Sequence, residues 1–434
     1  MIKQINNTEF DVLVIGGGIS GCEAALNIAN LDYKVLLVEK DLSIGGKMIL
    51  LSKVFPTLDC GACITTPKVS EISRHPNITV LTGTESKDIR KMGEHHFEAT
   101  IVSQPRYVIA HDCTGCQLCE AACPVNVRDQ FQFGLVGRKA AYIPFSIASP
   151  RIAAIDIENC TLCGACEKVC PTHAIDFTQD VETTRVKVKA VITATGFRLF
   201  DPAMMPRYGY GIYKNIITPM EMERELAPTR PFNHVLRPSD GKQPDNIAYV
   251  LCTGSRDRSI GNPICSQICC MYSIKQAQLL LGALPMADVT IYYINIRSFG
   301  KGFEEFYQQA KGMGVNFVKG KIGTIREIEN GNLILRYEDI VKGNVQEAEH
   351  DIVVLSVGAL PNTDPKTIFS DENLQLDNFN FVKQTDILTS PATTSIRGVF
   401  VAGTAAGPMD IPDSILSAGT AASETVGYIT NASV

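Results

Sequence analysis

The sequence predicts an α/β fold made of two Rossmann-type units and a small α+β insert. A short buried strand, a glycine-rich turn and a helix follow one another from residue 10. A second apolar strand at 246–251 marks the start of the second unit. Two cysteine runs, each ending in Cys-Pro, lie between these strands and predict the insert.

Composition limits the classes of protein to which the chain can belong. Its 434 residues are 45% hydrophobic and 20% charged, which is typical of a globular protein of two or three domains. The net charge of −6 provides no basic surface for nucleic acid. Residues 1–18 lack the pattern of a signal peptide, and no apolar run of about 18 residues predicts a membrane span. We therefore expect a cytoplasmic chain that binds no nucleic acid and is not itself inserted in a membrane.

A dinucleotide site is predicted at the start of the chain. Strand 10–15 is followed by Gly16, Gly18 and Gly21 in G-x-G-x-x-G spacing and then by a helix. The first two glycines allow close backbone approach to a pyrophosphate, the third allows tight packing of helix on strand, and the helix N-terminus offers free N–H groups. A second strand ends at Glu39, whose carboxylate can accept hydrogen bonds from ribose hydroxyls and disfavours a 2′-phosphate. A plain tight turn is the alternative, but these elements in this order favour the nucleotide.

Three later segments favour FAD over NAD. Gly45-Gly46 resembles the second glycine pair of two-dinucleotide flavoproteins, and residues 191–196 resemble their Ala-Thr-Gly strand. Residues 398–403 resemble the strand that delivers a ribityl-binding residue, which is Thr404 here instead of the usual Asp. Residues 413–419 predict the start of a helix directed at the flavin ring, whose positive end would stabilise the reduced flavin. The candidate FAD-binding residues are Gly16, Gly18, Gly21, Glu39, Lys40, Gly46, Lys47, Thr195, Gly196, Gly403, Thr404, Asp413 and Ser414.

The cysteines point to iron–sulfur clusters. Fifteen cysteines in a chain without an export signal indicate metal ligands or redox groups more than disulfides. The spacing Cys-x2-Cys-x2-Cys-x3-Cys-Pro occurs twice, and in bacterial ferredoxins the last cysteine of each such run binds the other cluster. The predicted ligand sets are Cys113, Cys116, Cys119 and Cys170 for one [4Fe–4S] cluster, and Cys160, Cys163, Cys166 and Cys123 for the second. Zinc is the alternative, but it does not explain the three-plus-one spacing or the paired prolines.

The second unit lacks the sequence features of an NAD(P)H site. Its first strand is followed by Cys252-Thr-Gly-Ser and not by a G-x-G-x-x-G motif. A pyrophosphate therefore has no glycine turn to bind, and direct reduction by NAD(P)H is not expected. Four cysteines stand in this region instead: Cys252, Cys265, Cys269 and Cys270. They predict a third metal centre, and buried cysteines with a disulfide-active pair are the alternative.

Together these motifs resemble the A-type flavin subunit of heterodisulfide reductase, an anaerobic electron-transfer complex. The resemblance extends through 55–63, both ferredoxin-type runs, 252–275, 297–305 and 400–413. It implies a thioredoxin-reductase-like FAD core with an inserted two-cluster domain and a third [4Fe–4S] cluster in the second unit. It also implies that Lys275 is a catalytic residue near the flavin, where a cation favours the anionic reduced form. A solvated helix lysine is the alternative.

The family also implies a function and partners. In its best-known members FAD bifurcates electron pairs, sending one electron to ferredoxin and the other to a disulfide-reducing subunit. The expected partners are B and C subunits of such a complex or their equivalents, and an electron donor or acceptor such as ferredoxin, a hydrogenase or a flavin oxidoreductase. A homodimer within that complex is also expected. A subunit feeding a quinone-reducing membrane complex, a non-catalytic relay and an NAD(P)H-linked reductase are the alternatives.

Two departures from the family bear on these expectations. Fuller family members carry an extra N-terminal domain and a C-terminal ferredoxin domain, whereas this sequence begins at the FAD strand and stops after the final flavin helix. Bifurcation would then require another chain to supply the missing clusters. Cys60 and Cys63 resemble half of a cluster site whose other ligands lie in the absent N-terminal domain. Their expected states are pairing with cysteines of a partner chain, a cluster completed by water, or free thiols.

The predicted organisation divides an FAD-binding domain into three parts around two other domains. The predicted segments are 1–103 for the first FAD-binding part, 104–177 for the ferredoxin insert, 178–244 for the second FAD-binding part, 245–350 for a degenerate NAD(P)H-like Rossmann domain with the third cluster, and 351–434 for the last FAD-binding part.

Overall fold

The computed structural model describes residues 8–362, 364–369 and 371–430. The ends of the first and last predicted segments, 1–7 and 431–434, lie outside the described residues. The α-helices are α1 Ile19–Ala29, α2 Gly61–Arg74, α3 Leu118–Ala122, α4 Ala165–Val169, α5 Pro219–Leu226, α6 Cys269–Ala283, α7 Phe303–Gly312, α8 Asp364–Thr367 and α9 Ile411–Thr430. Among the described residues, none of these helices is both long enough and apolar enough to cross a membrane.

The strands form several sheets. In chain order they are β1 Val12–Ile15, β2 Val35–Glu39, β3 Ile78–Thr82, β4 Thr84–Gly93, β5 His96–Ser103, β6 Asn126–Arg128, β7 Gly137–Lys139, β8 Ala141–Tyr142, β9 Ala154–Ile155, β10 Glu182–Val188, β11 Ala190–Thr193, β12 Phe197–Leu199, β13 Ile216–Ile217, β14 Asn246–Thr253, β15 Asp288–Tyr293, β16 Asn316–Glu327, β17 Leu333–Asp339, β18 Asn344–His350, β19 Ile352–Val357, β20 Ala359–Pro361 and β21 Val399–Val401. The sequence predicted β1, β2, β11, β14 and β21, and their ends differ from the prediction by at most three residues.

The first unit is a parallel sheet in the order β21-β11-β1-β2-β3. Strand β1 is central because it pairs in parallel with β11 on one side and β2 on the other. Its residues alternate between two apolar layers: Val12 and Val14 pack with α1 and α9, whereas Leu13 and Ile15 pack towards the antiparallel sheet β10-β5-β4. Both faces are therefore covered, which explains the continuous apolar run of this strand.

The second unit is a mixed sheet in the order β13-β19-β14-β15-β16-β17-β18. Strand β14 pairs in parallel with β15 and β19, and β16 to β18 extend the sheet as an antiparallel meander. Helices α6 and α7 cover one face through Ile274, Ala277 and Phe306, which pack with Tyr249 of β14. This unit therefore repeats the strand-to-helix arrangement of the first, with α6 following β14 as α1 follows β1.

The chain between β5 and β10 packs around its own small apolar cluster. That cluster includes Val108, Ala141, Ile152 and Ala174, and six of the cysteines of the two ferredoxin-type runs pack in it or against it. The short helices α3 and α4 contact each other, and β6–β7 and β8–β9 form two small antiparallel pairs. A core this small gains stability from any group that its cysteines bind in common.

Candidate functional site

The turn between β1 and α1 is built around glycines. A Cβ on Gly16 would lie 2.4 Å from the Ala194 carbonyl oxygen, and one on Gly21 would lie 1.8 Å from the Gly16 oxygen. Neither position accepts a side chain, so the helix packs directly on the ends of β1 and β11. A Cβ on Gly18 would meet no atom within 4 Å. Gly18 is the N-cap of α1 and provides no side-chain hydrogen bond, so open space lies in front of free helix N–H groups.

Glu39 is fixed beside this turn. It is 7% exposed, and its two carboxylate oxygens accept hydrogen bonds from the backbone N–H of Gly17 at 2.6 Å and of Asp41 at 2.8 Å. Burial raises the pKa of Glu39, and both N–H donors oppose that rise. Each oxygen retains a second lone pair for another donor. Lys40, the next residue, is exposed.

The second glycine pair lies against the first turn. A Cβ on Gly46 would lie 2.8 Å from the Gly18 Cα atom, so these two backbone segments touch. The half-buried Lys47 donates a hydrogen bond to the Phe197 carbonyl oxygen, and its Nζ lies 4.6 Å from the centre of the Phe197 ring. The structure therefore brings residues 46–47 to the chain that follows β11.

The end of β11 meets the end of β21. The Thr195 hydroxyl is buried and has no hydrogen-bond partner in the described structure, and a Cβ on Gly196 would lie 3.9 Å from Thr404 Oγ1. Gly403 is so close to α1 that a Cβ would lie 2.0 Å from Ser20 Oγ. Asn362, which the sequence did not indicate, donates to the Thr195 carbonyl at 2.7 Å.

Helix α9 begins at Ile411, two residues before its predicted start, and leads away from this region. Ser414 is buried, whereas Asp413 is exposed and donates its N–H to Asp410 Oδ1 at 2.9 Å. The uncapped α1 N-terminus, the open space at Gly18 and the unpartnered Thr195 hydroxyl fit a bound dinucleotide that runs from Glu39 towards Thr404.

Two recesses between α3 and α4 collect the cysteines of the ferredoxin-type runs. One is lined by Cys113, Cys116, Cys119 and Cys170, and the other by Cys123, Cys160, Cys163 and Cys166. In each recess three thiols come from one run and the fourth from the other. This grouping matches the two predicted ligand sets, while cluster ligation itself remains a prediction.

The backbone explains why each run divides in this way. Gly115 and Gln117 have φ values of 66°, and the equivalent residues of the second run, Leu162 and Gly164, have values of 54° and 71°. These left-handed turns curl the first three cysteines of each run around one centre. The last cysteine of each run follows its helix as an extended C-cap, so its side chain leaves that centre and reaches the other recess.

The four-thiol recesses fit a cubane chemically. Burial raises the pKa of the Cys119 thiol to about 11, so iron rather than pH would have to remove its proton. Each recess presents four thiols, which is the donor set that a [4Fe–4S] cubane takes through its four irons.

The third cysteine set lies where β14 leads into α6. Cys252 is on β14 with a φ of 61°, Cys265 is on the following loop, and Cys269 and Cys270 open α6. The last two thiols are buried and donate to backbone carbonyls, to Val357 and Asn295 respectively, both at 3.7 Å. Burial and the neighbouring thiols raise the pKa of Cys270 to about 12. Cys252 and Cys265 act electrostatically on both Cys269 and Cys270, so the structure places all four thiols near one another.

Lys275 is buried and ion-paired. It is 1% exposed and binds the carboxylate of Glu223, which is also 1% exposed. Glu223 accepts further hydrogen bonds from the Ser52 N–H at 2.8 Å and hydroxyl at 2.6 Å, and Lys275 donates to the Lys53 carbonyl at 3.0 Å. The alternative of a solvated helix lysine is therefore wrong. Burial alone would raise the pKa of Glu223, but Lys275 and the hydrogen bonds lower it below its usual value.

Removing one partner of this pair is expected to destabilise the protein. Lys275→Met leaves the Glu223 carboxylate buried without a counter-charge, so we expect the free energy of unfolding to fall by about 3–5 kcal/mol, measured by chemical unfolding. The double variant Lys275→Met/Glu223→Gln removes both charges and is expected to recover part of that loss. A single variant as stable as the unaltered protein would contradict the prediction.

Three charged residues of α5, Glu223, Arg224 and Glu225, are buried, and nothing in the sequence signals this. Glu223 and Arg224 lie in a run of charged residues that looks like a solvated helix face. Arg224 is fully buried and donates to Gln132 Oε1 at 3.0 Å and to the carbonyls of Leu50 and Thr229, both at 2.9 Å. It therefore fastens the insert to the first unit, directly beside the Lys275–Glu223 pair.

Cys60 and Cys63 form a disulfide at the start of α2. Cys60 is the N-cap of this helix, and its sulfur accepts a hydrogen bond from the Cys63 N–H at 3.2 Å. Cys63 is exposed. None of the three predicted states of this pair was a bond between the two cysteines.

A family model described as pyridine nucleotide-disulphide oxidoreductase matches residues 10–424. The chain belongs to the pyridine nucleotide-disulphide oxidoreductase family. The matched region includes the glycine turn, both cysteine-lined recesses and the third cysteine set. As a member of this family the chain is an oxidoreductase, as the sequence predicted.

Curated relatives narrow the resemblance within the pyridine nucleotide-disulphide oxidoreductases. The A-type iron-sulfur subunit of a CoB–CoM heterodisulfide reductase from Methanocaldococcus jannaschii is 43% identical over 97% of this chain. The A-type subunit of an H2/formate:CoB-CoM heterodisulfide, ferredoxin reductase from Methanococcus maripaludis is also 43% identical over 97%. That of a ferredoxin:CoB-CoM heterodisulfide reductase from Methanosarcina mazei is 39% identical over 96%. The chain spans 64%, 64% and 53% of their lengths. These relatives confirm the resemblance to the A-type subunit of heterodisulfide reductase.

Solved structures confirm the fold. The chain is similar to the thioredoxin reductase of Lactococcus lactis, with a TM-score of 0.55, 15% identity, and 97% of this chain and 99% of that chain covered. The thioredoxin reductase of T. acidophilum also gives a TM-score of 0.55, with 14% identity and coverage of 99% and 100%. At these identities the similarity concerns the fold alone, and it confirms the thioredoxin-reductase-like α/β architecture.

Proposed function

We propose that this chain is an electron-transfer subunit that binds FAD and three [4Fe–4S] clusters within a complex similar to heterodisulfide reductase. The observation that carries the proposal is the three-plus-one grouping of thiols in the two recesses. Four cysteines in one recess suit a [4Fe–4S] cluster, which carries one electron, and the glycine turn of the same chain suits FAD, which carries two. A chain with both sites would pass electrons between the two kinds of carrier.

Binding of FAD is supported by the residues around the β1–α1 turn. The free N–H groups of α1 and the open space at Gly18 suit a pyrophosphate. Glu39 would hold the ribose, while Thr195 and Thr404 line the far end, where the ribityl chain and the flavin would lie. When bound, FAD accepts an electron pair and releases electrons singly, which the clusters can carry one at a time.

Lys275 is proposed to act at the flavin end of this site. Its charge is held by Glu223, and the pair is tied to Ser52 and Lys53, shortly after the Gly46 segment. A buried cation held in this way changes position little, so it can stabilise negative charge on a neighbouring reduced flavin. Arg224, next to Glu223 in sequence, connects the same point to the insert.

A cluster at the third cysteine set would take the place of a nicotinamide nucleotide. Cys269 and Cys270 open α6, where a Rossmann unit normally binds pyrophosphate. A loop of 254–268, carrying Cys265, separates β14 from this helix. The proposal therefore assigns reduction of the flavin to a partner protein and not to NAD(P)H.

We further propose that this subunit splits electron pairs between two acceptors. This proposal is supported by the names of the relatives, which combine a heterodisulfide with ferredoxin. The proposed partners are B- and C-type subunits of such a complex or their equivalents, a ferredoxin, hydrogenase or flavin oxidoreductase that donates or accepts electrons, and a second copy of this chain.

The test is anaerobic purification of the full chain followed by reduction. We expect a yellow-brown protein whose flavin and clusters are reduced by dithionite. NADH and NADPH should leave the flavin absorbance unchanged, because no glycine-rich turn for a nucleotide stands between β14 and α6. Absorbance at the flavin maximum and total iron provide the readout. Rapid bleaching by NADPH would contradict the proposed donor, and a colourless, iron-free protein would contradict the electron-transfer function as a whole.

A further inference from the structure

An arginine with unused hydrogen-bonding capacity lies at the third cysteine set. Arg256 follows β14 with a φ of 55°, and its backbone N–H donates to the Ile264 carbonyl at 2.9 Å. This bond closes the loop that carries Cys265. The Nη1 atom of Arg256 is buried and has no hydrogen-bond partner within the described chain. A buried guanidinium N–H without a partner is costly, and it suits a site that receives an acceptor when a ligand binds.

The charge of this arginine lies within the cysteine set. Arg256 follows Cys252 by four residues, and its backbone N–H binds the carbonyl of Ile264, the residue before Cys265. Arg256 is also among the charged groups that act on Cys252 and Cys270. The N-terminus of α6, a helix that starts at Cys269, adds partial positive charge at the same place. The third set is therefore an electropositive environment for four sulfur ligands.

Arg106 occupies a different position at the first recess. It interacts electrostatically with Cys113, but its Nη2 atom donates to the Leu42 carbonyl at 2.9 Å and also binds Thr82. Part of its hydrogen-bonding capacity is thus used to attach the insert to the first unit, although its Nη1 atom, like that of Arg256, is buried without a hydrogen-bond partner among the described residues. Arg256 differs because its backbone N–H closes the loop that carries Cys265.

We propose that Arg256 is a redox-tuning residue that raises the reduction potential of a cluster held by Cys252, Cys265, Cys269 and Cys270. The inference rests on the third cluster of the proposed function. On reduction such a cluster would gain one electron, which reduced FAD bound to the same chain would supply, and would become one charge unit more negative. A fixed cation beside it stabilises the reduced state more than the oxidised state. Arg256 thereby directs electrons towards this cluster.

The experiment measures the potential of this cluster in the full anaerobic chain. Its signal is defined as the electron paramagnetic resonance feature that is lost in Cys252→Ser. In Arg256→Gln we expect the equilibrium constant for reduction of this cluster to fall about tenfold, which corresponds to about 59 mV for one electron. Arg256→Lys keeps the charge, so the reduction potential of this cluster is expected to stay close to that of the unaltered chain. The reduction potentials of the two clusters of the insert should not change in either variant.

A matched control separates the local charge from the net charge. Arg258 is exposed on the same loop, so Arg258→Gln removes one positive charge and is expected to leave the potential unchanged. A loaded Arg256→Gln protein with an unshifted potential would overturn the proposal. If Arg256→Gln does not bind iron, Arg256→Lys provides the test. A reduction potential close to that of the unaltered chain supports the charge effect, and a tenfold or larger fall in the equilibrium constant for reduction overturns it. An unaltered chain without a third cluster shows instead that the third cluster of the proposed function is wrong, and the tuning role falls with it.

Discussion

Gly18→Val is expected to yield a folded protein that retains almost no flavin. The built Cβ at this position meets no protein atom within 4 Å, so the substitution leaves the packing of α1 on β1 intact. A valine side chain would instead fill the space in front of the α1 N-terminus, where the pyrophosphate is proposed to lie. We expect FAD affinity to fall at least about 100-fold, or roughly 2.8 kcal/mol. The flavin released from the purified protein by heating provides the measurement.

Two comparisons make this result specific. Gly93 also has open space around its Cβ and lies at the exposed end of β4, so Gly93→Val is expected to retain flavin. Gly21 has no room for a side chain, because a Cβ there would lie 1.8 Å from the Gly16 oxygen. Substitution of Gly21 is therefore expected to disturb folding as well as flavin binding. If Gly18→Val were purified fully loaded with FAD, the pyrophosphate position proposed here would be wrong.

Local signals explain why much of the first unit could be predicted. The contact between Gly21 and the Gly16 oxygen involves residues five positions apart, and the strands on either side are short apolar runs. Sequence spacing therefore carries nearly all of the information. The same holds for the grouping of Cys170 with Cys113 in one recess, since a repeated run fixes which thiol leaves its own turn.

The buried pair Lys275–Glu223 could not be predicted, because its environment is created by tertiary packing. Glu223 belongs to a helix of eight residues, Pro219–Leu226, that carries four charged side chains. In isolation such a helix exposes these charges. It is buried here because α5 lies between the first unit, which contributes Ser52, and α6, which contributes Lys275.

A short cysteine pair is ambiguous for a different reason. The spacing of Cys60 and Cys63 suits half of a metal site and also a disulfide across the first turn of a helix. The choice depends on which groups lie opposite the pair. In the structure the two cysteines are bonded to each other, with Cys60 at the N-cap of α2 and Cys63 in its first turn.

Cys252→Ser is expected to remove one cluster while FAD remains bound. The hydroxyl is nearly the size of the thiol but is a poorer ligand for iron, so a cluster that depends on four thiolates is expected not to assemble. Total iron should fall from about twelve to about eight atoms per chain. Flavin content should stay constant, because the glycine turn is formed by β1 and α1 in the other unit.

Two further variants test whether the loss of iron is specific to the third cysteine set. Cys269→Ser changes a second member of the set on a different element, the first residue of α6, and is expected to cause the same loss of iron. Cys22→Ser is the matched control, because Cys22 is buried in α1, where its thiol donates to the Gly17 carbonyl at 3.3 Å and lies outside the three cysteine sets. A hydroxyl can replace that bond, so the iron content of Cys22→Ser should not change. Equal iron in Cys252→Ser and Cys22→Ser would mean that the third set holds no cluster, and the thiols at the start of α6 would then require a role without iron.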